Sequence, residues 1–255
     1  MNKKEQRQRR LTVLLEENAT MRVGELADAL AVTAETVRRD LDELARGGLV
    51  SRTYGGAVAV RAAREPRLSE RHALLIDERQ AIARTAVSRL AGSDVMMIGS
   101  GATTTQLARR IAVELTDITV ITHSFGVATV LSLNPTITVL MVPGRYHADE
   151  GATLGSQALR FLEGYFADWA IVGASGLTED GAGEALIEAG EVYAGMMRRA
   201  GKTMIVADHS KYGMRFPARF ARWEQIDCLV TDTAPEASLR TAIERGCTRV
   251  EVAGG

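Results

Sequence analysis

The chain has 255 residues and a formal net charge of −1, with 31 Lys and Arg against 32 Asp and Glu, and 46% of its residues are hydrophobic. That length holds two domains, the larger with a sizeable core. No apolar run reaches the roughly 18 residues a membrane span needs, and the polar start Met1-Asn2-Lys3-Lys4 is no signal peptide, so membrane and secreted classes are excluded. Cys228 and Cys247 are the only cysteines, and Cys228 lies in an apolar run, which points to a reducing, cytoplasmic setting.

The start is basic: Lys3, Lys4, Arg7, Arg9 and Arg10 stand against the single acid Glu5. Such a cluster suits phosphate contacts, and it equally suits a solvated terminus. Over residues 1–57 the balance is ten basic to nine acidic groups, so placement rather than total charge carries the argument. Val23, Leu26, Ala27 and Leu30 recur at helical spacing, and only Ala31 and Val32 separate them from Thr33. Thr33 is suited to cap a second helix, in which Val37, Leu41 and Leu44 form an apolar stripe. Glu35, Arg39, Asp42 and Arg46 point the other way, with Thr36 and Arg38 on the flanks. An amphipathic helix with two arginines is also what any solvated surface helix looks like. The preceding helix, the tight turn and the trailing hairpin point instead to a helix-turn-helix that reads DNA. Gly47-Gly48 ends the second helix, Leu49 to Tyr54 reads as a strand, and Gly55-Gly56 supplies a hairpin tip, which makes the unit winged.

The run TVRRDLDELARGGLVSRTYGGA resembles the N-terminal signature of the DeoR family of bacterial transcription regulators, over roughly residues 6 to 57 in one register. The resemblance implies DNA contact by Thr36, Arg38 and Arg39 in the helix and Arg52 in the wing. Thr33, Glu35 and Tyr54 complete the expected DNA-binding set.

Val58 to Arg71 breaks the helical pattern at Pro66 and mixes charges with small residues; residues 58–73 are expected to connect a first domain, 1–57, to a second, 74–255. From Leu74 onward, short apolar runs alternate with helical segments. The runs are 95–98, 118–121, 138–142, 169–172, 204–207, 226–230 and 250–252, and the helical segments include 104–112 and 235–245. Continuous apolar strands with intervening helices predict an α/β domain whose sheet is mainly parallel and covered on both faces.

Ligands of such sheets bind outside the carboxyl ends of the strands. Gly99-Ser100-Gly101-Ala102-Thr103-Thr104-Thr105 sits between a strand and a helix, where backbone N–H groups and the helix dipole favour a phosphate. No lysine follows the glycines, so this is no P-loop; a Gly-Ser turn at this place also occurs without any ligand. Thr122-His123-Ser124 and Pro143-Gly144-Arg145 follow the next strands, and Arg145 is either a phosphate clamp or an exposed loop arginine. Asp208-His209-Ser210-Lys211 comes last, with Lys211 a point charge for an anion and Asp208 an acceptor for sugar hydroxyls.

GSGATTTQLA, VITHS, VPGR and ADHSKYG with IDCLVTD match the family's loops in order, over most of residues 70 to 233. The resemblance implies a fold similar to the ribose-5-phosphate isomerase and CoA-transferase group and an effector that is a phosphorylated sugar or related metabolite. The expected effector set is Ser100, Gly101, Ala102, Thr103, Thr104, His123, Gly144, Arg145, Asp208 and Lys211. The chain departs from the family at Gly99, where Asp is usual, at His123 for Asn, at Arg145 for glycine and at Tyr193, where lysine is common; Ala102 is inserted in character before Thr103.

Catalysis is the competing reading. Asp208, His209 and Ser210 are triad types, but sequence neighbours rarely converge on one atom. His147 with Asp149 and Glu150 reads as a solvated loop, no His/Cys spacing suggests a metal, and no cofactor is expected. Glu184 and Glu188 flank the glycine-rich stretch GLTEDGAGEAL and suit an isomerase base, an effector contact or solvent alike. A winged helix-turn-helix is of little use to an isomerase. The chain is therefore expected to be no enzyme but a homodimeric or homotetrameric repressor of a carbohydrate operon, released from operator DNA by its effector. An activator on the same scaffold and a DNA-tethered isomerase are the alternatives.

Overall fold

The structure is a computed structural model that describes residues 4, 7, 8, 10, 11, 14, 15, 21–46, 50–53, 56–59 and 65–254, with side chains throughout except at 46, 50–53 and 56–59. The chain divides into two compact units, Met1–Arg64 and Glu65–Gly255. The expected connector therefore narrows. Residues 58 and 59 finish a strand of the first unit, residues from 65 onward belong to the second, and 60–64 lie outside the described residues.

In the first unit, strand β1 (Met21–Arg22) leads into the helix Val23–Leu30, a turn and the helix Ala34–Arg46. Ala31 reverses the chain in the left-handed region at φ 51°, and its N–H bonds back to the carbonyl of Asp28. Thr33 Oγ1 then accepts from the Thr36 N–H at 3.3 Å, which satisfies one orphan donor of the new helix. Strands β2 (Val50–Thr53) and β3 (Gly56–Ala59) pair antiparallel with Thr53 opposite Gly56, and β1 adds to β3. Tyr54 and Gly55 at the tip lie outside the described residues, as do Gly47 and Gly48. Val23, Leu26, Ala27, Val37, Leu41 and Leu44 form the core with Leu11 and Leu15.

In the second unit, β4 (Val95–Ile98), β5 (Thr119–Thr122) and β6 (Thr138–Met141) come first, followed by a hairpin of β7 (Arg145–His147) and β8 (Ala152–Leu154). Then come β9 (Ala167–Val172), the hairpin β10 (Gly176–Thr178) and β11 (Gly181–Glu184), and β12 (Ala200–Val206). Strands β13 (Ala218–Ala221), β14 (Cys228–Thr231) and β15 (Arg249–Val252) complete the set. Seven of these form a parallel sheet in the order β15-β14-β12-β9-β4-β5-β6.

Neighbouring residues on one strand feed opposite cores, which is why the strands read as unbroken apolar runs. Met96, Ile98, Ile171, Met204 and Val206 pack under the helices Ile76–Val87 and Ala102–Glu114. Met97, Ala170, Val172, Ile205 and Leu229 face the helices Ser156–Glu163, Ile187–Arg198 and Ala237–Arg245. Strand order reverses at β4: the chain runs outward through β5 and β6, then returns to pair β9 on the other side of β4. The loops after β4 and β9 therefore part company, and a crevice opens at their carboxyl ends. None of the helices in the described residues is long and apolar enough to cross a membrane.

Candidate functional site

The helix Ala34–Arg46 buries Val37, Leu41 and Leu44, and its far side carries Glu35, Arg38 and Arg39 with side chains 61%, 55% and 78% exposed. Glu35 lies 3.3 Å from Arg39 Nε and 3.6 Å from Arg38 Nη1. Exposed pairs of this spacing are worth only about 0.3–0.5 kcal/mol, so Glu35 orients the two guanidiniums without sequestering them. Thr33 is exposed and Thr36 half-buried beside them. Arg52 is placed on β2 opposite Ala57, but its side chain and all of Tyr54 lie outside the described residues.

Asp40 is the one acid this helix buries, and it is held by Arg7 Nη2 at 3.1 Å and by Gln8 Nε2 at 3.4 Å. Lys4 Nζ donates to Glu43 at 2.8 Å. Arg7 and Lys4 are thus engaged with acids of the helix, Arg7 with the buried Asp40 and Lys4 with the partly exposed Glu43. Arg10 is exposed, while Lys3 and Arg9 lie outside the described residues.

In the second unit a cleft opens at the strand-order reversal. It is lined by Ser100, Gly101, Ala102, Thr103 and Thr104 after β4, by Gly173 and Ala174 after β9, and by Lys211 after β12. The loop is held from behind. Gly101 has φ 144°, and its carbonyl accepts from Thr105 N at 3.1 Å, Thr105 Oγ1 at 2.7 Å and Thr104 Oγ1 at 3.0 Å. The N–H groups of Ala102, Thr103 and Thr104 are the first of their helix and have no acceptor within it. They are oriented for an anion, as is the dipole of a 13-residue helix.

His123 is not at the cleft surface. It is fully buried; its Nε2 accepts from Ser100 N–H at 3.0 Å, and its Nδ1 lies 2.9 Å from the Thr153 carbonyl. A carbonyl can only accept, so the proton sits on Nδ1 and the ring is neutral. Burial holds its pKa down to about 4, against the opposing pull of the Thr153 carbonyl. His123 thus positions Ser100 rather than touching a ligand. Tyr193 does the same from the other side. Its hydroxyl donates to the Ser100 carbonyl at 2.7 Å and meets Ser100 Oγ at 3.0 Å, and its ring stands edge-on to His123 and Phe220.

The other expected effector residues need correction. Asp208 is completely buried; one carboxylate oxygen takes Arg79 Nε at 3.0 Å and the other takes Ser210 N–H at 3.1 Å and the Ser210 hydroxyl. Its acceptor capacity is spent inside the protein, and it fixes Arg79 instead of a sugar. Arg145 is exposed and paired with Glu188, and neither it nor Gly144 lines the cleft. His209 pairs with Asp232, not with Asp208, so no triad assembles.

Six cleft residues escaped the expected set: Gly173 and Ala174, which offer backbone, and Arg71, Arg79, Glu184 and Tyr193, which offer side chains. Arg79 donates to the carbonyls of Arg71 and Leu74 and to Asp208, which staples the turn after the helix Leu68–Arg71. Arg71 pairs with Glu150 and lies 3.4 Å from Glu65, and Lys211 Nζ donates to Glu65 at 2.8 Å. Glu184 Oε1 accepts from Ser175 Oγ at 2.7 Å and Ala185 N–H at 2.9 Å. Burial pushes its carboxyl up to about 7 against the Ser175 hydroxyl, with Glu150 and Glu65 adding to the rise and Arg71 opposing it. Arg79 was the legible one: it falls on the helical stripe of Ile82, Ala83 and Ala86, and a buried guanidinium demands a carboxylate.

Residues 7–63 match the DeoR-like helix-turn-helix domain, and residues 75–233 match the DeoR C terminal sensor domain. Curated relatives include the HTH-type transcriptional regulator GlpR of Haloferax volcanii, 33% identical with 94% of each chain covered. The HTH-type transcriptional repressor CsqR of Escherichia coli is 28% identical, covering 92% of this chain and 90% of its own. The glycerol-3-phosphate regulon repressor of the same organism is 25% identical over 93% and 94%. Among solved structures, ribose 5 phosphate isomerase A from Neisseria gonorrhoeae is 16% identical over 54% of this chain and 53% of its own, with a TM-score of 0.41. With a DeoR-like helix-turn-helix matched over residues 7–63 and a DeoR C terminal sensor domain over 75–233, in order along one chain, this protein belongs to the DeoR family of transcriptional regulators.

Proposed function

We propose that this chain is a transcriptional repressor of a carbohydrate-metabolism operon and that a phosphorylated sugar or related metabolite lowers its affinity for the operator. The single observation that carries the reading is the pairing, on one chain, of the exposed Thr36–Arg38–Arg39 face with a cleft holding Arg71, Arg79 and Lys211 around an open helix start. In a homodimer or homotetramer, two reading helices enter successive major grooves. An arginine that pairs with the acceptor edge of guanine supplies about 1–3 kcal/mol of discrimination at its base, and the remaining cations bind phosphates. Arg52 adds a wing contact.

The effector's phosphate lies against the N–H groups of 102–104, the Thr103 hydroxyl and Lys211, with Glu184 as acceptor for a hydroxyl. The cleft senses and does not transform its ligand; what supports this is the regulator or repressor name of three relatives that match 92–94% of this chain. Coupling between the two sites requires that the ligand favour one arrangement of the oligomer, typically by about 1–3 kcal/mol.

The test is gel retardation of the gene's own upstream fragment by the full chain, followed by titration with a panel of phosphorylated sugars. A retarded band released by one phosphorylated sugar and not by its unphosphorylated parent is the expected result. Absence of retardation rejects the DNA reading, and retardation that no phosphorylated metabolite relieves rejects the effector reading.

A further inference from the structure

The cations of the cleft are already engaged by an anion of the chain itself. Glu65 Oε1 accepts from Lys211 Nζ at 2.8 Å and lies 3.4 Å from Arg71 Nη1, and the three side chains are only 7%, 13% and 10% exposed. Counting the formal charges, Arg71, Arg79 and Lys211 are matched by Glu65, Glu150 and Asp208, three against three. Glu184, whose carboxyl burial lifts to about 7, can add only further negative charge. A phosphate dianion entering this balanced cluster would be buried with no free cation beside it, and buried unpaired charge is costly. One carboxylate has to leave.

The three acids differ in their freedom to do so. Asp208 is fully buried beneath Arg79 and Ser210. Glu150 stands in the turn between β7 and β8, whose strands pair on either side of it. Glu65 is the first residue of the second unit and belongs to no helix or strand, with Pro66 and Arg67 likewise irregular before the helix Leu68–Arg71. Arg71 Nε is meanwhile buried with no acceptor among the described residues, a donor that a ligand oxygen would satisfy.

We propose that Glu65 is a built-in competitor for the effector phosphate: its carboxylate occupies the Arg71–Lys211 anion subsite, and the bound ligand displaces it. This rests on the effector reading above and adds the manner of its control. The carboxylate raises the metabolite concentration needed to fill the cleft. Its release acts on the stretch of chain that joins the two units in sequence, so occupation of the cleft is felt first at residues 65–72.

The experiment measures binding of inorganic phosphate to the full chain by calorimetry at constant ionic strength, for wild type, Glu65→Gln and Lys211→Met. Removing a competitor raises the apparent affinity by the inverse of the fraction of open sites. Glu65→Gln is therefore expected to bind phosphate about tenfold more tightly or better, and Lys211→Met to lose binding. Wild type and Glu65→Gln binding equally, or the variant more weakly, overturns the competitor role while leaving the cleft as the effector site. No phosphate binding by either protein overturns both readings.

Hydrogen exchange on wild type gives a check independent of any variant. The amides of Arg71 and His72, bonded to the carbonyls of Arg67 and Leu68, are expected to exchange faster in phosphate than in chloride. Unchanged or slower exchange there overturns the proposal.

Discussion

The Tyr193 ring lies where a side chain at position 99 would begin: a Cβ built on Gly99 comes 2.9 Å from Tyr193 Cε1 and 3.1 Å from a Val172 methyl. Positions 99 and 193, both departures from the pattern the sequence resembles, thus meet in the fold. A carboxylate and a lysine, as the family pattern has them, would occupy this space differently from a bare backbone and a buried phenol, which here grips Ser100 from behind.

Gly99→Ala is accordingly expected to destabilise the chain by about 1–3 kcal/mol, the usual cost of overpacking a close-packed interior. Most of that cost should vanish in a Tyr193→Leu background. The double-mutant cycle, measured by urea unfolding, is expected to give a coupling of at least ~1 kcal/mol. Strict additivity would mean that the loop yields and the two positions are independent.

Arg39→Ala is expected to weaken operator binding by about 1–3 kcal/mol, or roughly 5- to 150-fold, with the circular dichroism spectrum unchanged. Its side chain is 78% exposed and its partner Glu35 is a surface group, so the fold loses little. Fluorescence anisotropy with a labelled operator reads the change. Affinity equal to wild type removes Arg39 from the reading face.

The Arg79–Asp208 pair predicts the opposite pattern, a fold effect without direct ligand contact by the acid. Asp208→Ala leaves a buried guanidinium uncompensated and is expected to cost about 3–5 kcal/mol. Adding Arg79→Met should recover part of that loss, measurable as a rise in Tm over the single variant. A single variant as stable as wild type would show that water, not Asp208, satisfies Arg79.

Two buried groups tilt the pH dependence in opposite directions. His123, with its pKa held at about 4 instead of 6.5, stays neutral in the fold while the unfolded chain takes up a proton. Its contribution is complete above pH 6.5 and is lost as pH falls toward 4, up to ~3 kcal/mol at ~1.4 kcal/mol per unit. Glu184, lifted from 4.5 to about 7, keeps its proton in the fold, so its contribution is complete below pH 4.5 and is lost as pH rises through 7. Unfolding at a series of pH values should therefore show Glu184→Gln gaining on wild type between pH 4.5 and 7, and His123→Asn gaining between pH 6.5 and 4. Parallel curves for variant and parent would clear that group of any role.

The five inner parallel strands, β14, β12, β9, β4 and β5, were readable because they bury residues on both faces, so their apolar runs are unbroken; the edge strands β6 and β15 are only partly buried. The glycine-rich stretch 175–186, in contrast, gives no such signal and yet contains a hairpin, β10 and β11. Its glycines answer to backbone from elsewhere in the chain: a Cβ at Gly176 would lie 2.0 Å from the Met214 carbonyl oxygen, and one at Gly181 would lie 2.1 Å from that of Ala221. Arg71 and Glu65 were hidden for a similar reason. Pro66 and mixed charge make their stretch look like a connector, and only contacts with Glu150 and Lys211, far along the chain, give them a place. His123 and Asp208, expected to contact the effector, do not line the cleft: both are buried, His123 beneath the loop at Ser100 and Asp208 beside Arg79.

Val37, Leu41 and Leu44, with the buried Asp40 and flanking Ala34 and Ala45, seat the helix in its core, and none of Glu35, Thr36, Arg38 and Arg39 is buried. Address and scaffold are thereby separable. Exchanging those four side chains should redirect the protein to a different promoter at almost no energetic penalty to folding, which makes this unit a practical starting point for building metabolite-responsive genetic switches with new targets.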